Sequence, residues 1–137
     1  MQSYRITRTT MGRAALIASS LIIGASGAIA ADVAKQLATA EEHAGYAADA
    51  KNLKMVHAHL QHVINCLVGP KGAGFDAAAL NPCKGLGDGA IPDTSDAAKK
   101  QDLAHAVEQA KEGLGQDDMG AAQKTAVAVG ATLKKAM

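Results

Sequence analysis

Apolar residues recur at spacings of three and four in four separate stretches of this chain, and polar or glycine-rich breaks separate them. Spacings of that kind lay one apolar stripe along a helix. The strongest stretch covers residues 52–68, where Leu53, Val56, Leu60, Val63, Ile64 and Leu67 share one face. Met55, His59, His62 and Cys66 repeat on a different face, and His57 borders the apolar one. Upstream, over 32–48, Val33, Leu37, Ala40, Ala44 and Ala47 make a second stripe. If the two stretches formed one rod, counting ~100° per residue would set their stripes on opposite sides. A turn at Asp49-Ala50-Lys51-Asn52 removes the conflict, because Asp and Asn side chains compete with helical hydrogen bonds. Helices 1 and 2 are therefore expected to form an αα-hairpin.

Gly69-Pro70 ends the second helix, with glycine after the last turn and proline beyond it. Residues 69–92 hold six glycines and three prolines and read as a long loop, with at most one helical turn at Asp76–Leu80. A loop of this length in a small domain needs something to hold it. Cys66 and Cys83 offer a candidate, a disulfide that would be worth ~3 kcal/mol in the chain-entropy account. Beyond Pro92, the run Asp93-Thr94-Ser95-Asp96 offers N-caps for a third helix over 95–112, with Leu103, Val107 and Ala110 on its inner face. Gly113-Leu114-Gly115 should break it. In the fourth helix Gln116-Asp117-Asp118 places acids at the start and Lys134-Lys135 bases at the end, as the helix dipole prefers, with Val127 and Leu133 facing inward. The expected fold class is all-α: a four-helix up-down-up-down bundle with a disulfide-pinned loop between helices 2 and 3.

The first thirty residues stand outside this pattern. Arg5, Arg8 and Arg13 precede an apolar run from Ala14 to Ile23, and Ala28-Ile29-Ala30 has the small-residue form of a cleavage site. Residues 1–30 read as a cleaved secretory signal and 31–137 as a single helical domain, periplasmic or secreted. In such a compartment two cysteines are expected to be joined. All three arginines fall in the signal, which leaves eleven lysines against thirteen acids in 31–137. Without arginine, a basic surplus or more than a few aromatic residues, nucleic acid is not an expected partner. No membrane association is expected after cleavage. The sequence names no protein partner and leaves a homodimer open.

Histidine carries the candidate chemistry. In a hairpin turning near residue 50, positions whose numbers total about 100 face each other, which pairs His43 with His57 near Glu41 and Glu42. Two imidazoles across a hairpin are reasonable ligands for a first-row metal. His59 and His62 lie three apart on one face, with Cys66 four residues further, so they too converge; Met55 adds a thioether. A disulfide at Cys66 would remove the thiolate from this second set. The competing explanation is that these histidines border an alanine-rich interface or satisfy carbonyls of the 69–92 loop. His105, alone on the third helix, reads as a surface residue. Neither a Cys-x-x-Cys-His haem motif nor the Glu-x-x-His of di-iron bundles occurs, and no nucleophile motif or phosphate loop is present. No catalytic residue is assigned, and the chain is not expected to be an enzyme.

Ala40-Glu41-Glu42-His43-Ala44 and Leu103-Ala104-His105-Ala106-Val107-Glu108-Gln109-Ala110-Lys111 resemble the small periplasmic, histidine- and alanine-rich metal-binding proteins. The resemblance implies a four-helix bundle that binds copper or other divalent ions. This chain has five histidines where those proteins have many more, and its cysteine-closed loop is an added feature. The expected function is reversible binding of a transition-metal ion (copper, nickel or zinc) by His43, His57, His59 and His62. The alternatives are a non-enzymatic interaction module that uses the 69–92 loop, and a non-covalent haem-binding bundle.

Overall fold

A computed structural model describes residues 31–137. The expected export signal over 1–30 lies outside the described residues. Among these residues there are five helices and no strand: α1 (Val33–Asp49), α2 (Leu53–Val68), α3 (Ala90–Asp93), α4 (Ala97–Leu114) and α5 (Met119–Ala136). None of these helices is long and apolar enough to cross a membrane.

Each long helix begins at an aspartate or asparagine whose side chain accepts a hydrogen bond from a first-turn amide. These are Asp32 for α1, Asn52 for α2, Asp96 for α4 and Asp118 for α5. The first two caps set the hairpin. Ala50 leaves the helix in an extended conformation, Asn52 restarts it, and α1 and α2 pack on one another across this turn. Gln123 Nε2 secures the corner from α5 by donating to the carbonyls of Ala48 and Ala50, at 2.9 Å each. The rod alternative is excluded.

α2 supplies most of the bulky core, with Val56, Leu60, Val63, Ile64 and Leu67 buried, and it touches every other helix. Its neighbours contribute mostly small residues to the core: Ala40, Ala44 and Ala47 on α1, Ala106 and Ala110 on α4, Ala122 and Ala126 on α5. Short side chains let the helices approach closely around one row of large ones. α1 packs on α2 and α5, α4 packs on α2 and α5, and α1 and α4 do not meet.

Several sequence expectations are corrected here. Val127 points to solvent, 61 % exposed, and Val129 takes the buried position two residues on. The expected break at Gly113-Leu114-Gly115 is present, since α4 ends at Leu114 with Gly115 as its cap, but Gly113 itself is still helical. It lies inside α4 where a Cβ would come within 2.6 Å of Leu60 Cδ1, so its smallness serves close packing against α2. α4 begins at Ala97, after the Asp96 cap, and Asp117 and Asp118 precede α5, so no acid lies in its first turn. The short α3, which contains Pro92, was not expected. Asp76–Leu80 forms only a turn, closed by Ala79 N–H to Asp76 O.

The loop between α2 and α3 is held by more than the cysteines. Cys66 and Cys83 lie at disulfide distance, their Cα atoms 5.1 Å apart. Beside Cys66, the buried Asn65 spends its whole side chain on the loop and its own helix. Its Nδ2 donates to the carbonyls of Asp76 and Leu80, and its Oδ1 accepts from Asp76 N–H and Gln61 Nε2. Further along, Asp32 N–H donates to Leu86 O, and Gln36 Nε2 donates to Asp93 Oδ2. Gly69 closes α2 at φ 67°, where a Cβ would fall 1.6 Å from Asp88 O, so only glycine fits.

Candidate metal centre

His43 sits in the middle of α1 between the buried Ala40 and Ala44, and α1 packs on α2. His59 and His62 occupy the facing side of α2, ~60° apart around the helix on a 3.6-residue period. All three are half-buried. His43 Nδ1 stands 3.1 Å from His59 Nδ1 and 3.3 Å from His62 Nδ1. The rings lie 5.0–5.4 Å apart between centroids, none stacked face to face.

The site's electrostatics favour neutral rings. His43 is pushed down to about 4, chiefly by burial, then by the charges His62 and His59 would carry, with Glu42 pulling the other way. Burial also lowers His59, and burial with the neighbouring His59 lowers His62. Tyr46 covers one side of the group, its ring 5.5 Å from that of His43 and 5.4 Å from that of His59. Its hydroxyl donates to Glu42 Oε1, and that bond raises the phenol pKa.

The geometry keeps His59 and His62 together, as their spacing in the sequence suggested, and adds His43 to them while leaving out His57. His57 does not face His43. It is half-buried on the other side of α2, its Nε2 3.0 Å from the carbonyl oxygen of Gln116 in the α4–α5 turn. The turn is centred near residue 51 instead of 50, which shifts the partner of His43 by two positions, to His59. Two residues on a helix are ~200° apart, so that small shift exchanges one face of α2 for the opposite one. Cys66 is paired with Cys83 and buried, which leaves it unavailable as a thiolate ligand. Met55 is 42 % exposed one turn before His59. His105 lies exposed on α4, which does not touch α1.

Among the described residues, His43, His59 and His62 are the one group of three or more His, Cys, Asp or Glu side chains close enough to hold a metal ion. The role of Asn65 was missed in the sequence, although an asparagine inside the most apolar helix is a signal of its own: a buried amide must be hydrogen-bonded to something. No family model, curated protein or solved structure matches the chain.

Proposed function

We propose that this chain reversibly binds one transition-metal ion, copper, nickel or zinc, through His43, His59 and His62, as a non-enzymatic protein of the periplasm or secreted space. The observation that carries the reading is the position of His43 Nδ1 between two other Nδ1 atoms at 3.1 and 3.3 Å. A ring nitrogen has either one proton to donate or one lone pair to accept with. It can therefore make only one of these contacts as a full, well-directed hydrogen bond, or share one proton weakly between the two. A cation resolves the conflict, since three lone pairs can point at one ion. Nitrogens bound at ~2.0–2.1 Å around a tetrahedral ion are spaced ~3.3 Å apart, close to the two spacings from His43, and all three rings offer nitrogens within 4.8 Å of one another. Neutral rings at neutral pH keep those lone pairs free of protons.

On this reading the four long helices form an up-down-up-down bundle, supported by the short α1–α2 and α4–α5 connections and by the order of packing around α2. The likeness to small periplasmic histidine-rich metal-binding bundles belongs to the same proposal. Such a protein would carry a single ion and would not serve as a high-capacity store. Competition with a chromogenic chelator for Cu(II), Ni(II) and Zn(II) tests it. Each of His43→Ala, His59→Ala and His62→Ala should weaken binding at least tenfold, whereas His57→Ala and His105→Ala should leave it within about twofold. Equal losses across all five variants would defeat the assignment.

A further inference from the structure

On a different part of the molecule, α4 presents Lys100, Ala104, Val107, Glu108 and Lys111 along one face that no other long helix covers completely. With Val68, Ile91 and Pro92 these residues line a groove of about 510 Å³, within the size range of small-molecule sites. Its floor is aliphatic. Its rim is charged, with Lys71, Lys100 and Lys111 set against Asp88 and Glu108. Lys71 pairs with Asp88 at 3.5 Å and Lys111 with Glu108 at 2.8 Å, whereas among the described residues Lys100 has no ion-pair partner. The groove thus carries one unbalanced positive charge at the end nearest the start of α4. From Lys100 to Lys111 the helix rises ~16 Å, which suits an extended ligand better than a compact one.

We propose that this groove binds a free, monomeric carboxylate with an extended apolar chain, its tail along Val68, Ile91, Ala104 and Val107 and its head at Lys100. An aliphatic floor gains from covering by methylene groups, each worth ~0.8 kcal/mol when fully buried. A lone ammonium at the rim selects an anionic head over a neutral or cationic one. The paired lysines contribute little to that choice, because exposed ion pairs already balance them. The groove shares no residue with the histidine group, so the inference is independent of metal binding.

Decanoate and decyltrimethylammonium below their micelle concentrations, and decanol below its solubility limit, distinguish the outcomes when titrated into purified protein and followed by amide chemical shifts. Decanoate should shift resonances of residues 68, 91, 104 and 107 saturably and bind more tightly than decanol. Decyltrimethylammonium should bind most weakly. Lys100→Gln should weaken decanoate about threefold, the order expected for one exposed charge pair, and leave decanol unchanged. Lys100→Glu should reverse the order of the two charged ligands, and Ala104→Phe, at an exposed position, should fill the groove and abolish binding of all three with the helical content retained. Preference for the cationic ligand, shifts confined to other residues, or binding to anionic vesicles without binding of free decanoate would overturn the proposal.

Discussion

Protons and a metal ion would compete for the same three Nδ1 atoms, and the competition is set by where each ring sits. An unburied histidine titrates near 6.5, but burial and repulsion from its neighbours hold His43 at about 4, burial pushes His59 down, and burial with the neighbouring His59 pushes His62 down. A bound ion should therefore persist to lower pH than it does on a short, unstructured histidine peptide, whose ligands begin to protonate near 6.5. The same shifts act on the metal-free fold. Above 6.5 these rings are neutral in both folded and unfolded chains and make no difference to stability. As pH falls from 6.5 toward 4 the unfolded chain takes up protons that the folded site resists, so stability declines across that window. Urea unfolding of metal-free protein at pH 7, 6, 5 and 4 should show this decline, and His43→Gln should make it shallower. An unchanged pH profile in the variant would mean that the three rings do not share a site.

Among the elements, α2 and the loop it anchors show most plainly what a pattern of residues can and cannot disclose. The three-and-four spacing of Leu53 through Leu67 defines α2 because burying one stripe is a local requirement, satisfied by any helix of that composition. The four long helices were legible for this reason, to within about three residues at their starts. Which face meets which neighbour is not local. Val127 and Val129 are equally apolar, and only the packing of α5 on α1 and α4 decides that Val129 is buried. The placement of His57 depended on a hairpin register that a shift of one residue in the turn reverses. Asn65 was passed over because its role depends on a loop with no periodicity. That role has a measurable size. Asn65→Ala removes the donors of Asp76 O and Leu80 O and the acceptor of Asp76 N–H in a buried place, a loss of about 2–4 kcal/mol. Denaturant unfolding measures it, and a loss under about 1 kcal/mol would show that Cys66–Cys83 and the Gln36–Asp93 contact hold the loop without Asn65.

At the scale of the whole molecule, the histidine group is a bridge. His43 belongs to α1, His59 and His62 to α2, and α2 touches every other helix, so an ion held by all three would tie the hairpin to the centre of the core. Anything that binds the folded state alone stabilises it, by about 2.7 kcal/mol when free ligand is a hundred times the dissociation constant. For a domain of this size that corresponds to a rise in melting temperature on the order of 10 °C. The rise should appear with Cu(II), Ni(II) or Zn(II) at pH 7 and fade as the pH approaches 4, where protons occupy the rings. It should fall by at least about half in His62→Ala, which keeps two histidines but loses the third vertex. His57→Ala should retain it, because His57 ties α2 to the carbonyl of Gln116 and takes no part in the bridge. Thermal melts with and without metal separate the possibilities. If His62→Ala melts higher with metal to the same extent as the unaltered protein, the ion is held elsewhere. A rise that disappears in His57→Ala but survives undiminished in His62→Ala would restore the cross-hairpin pair expected from the sequence. Only a rise that draws on His43, His59 and His62 together, and that protons abolish, identifies this group as the site.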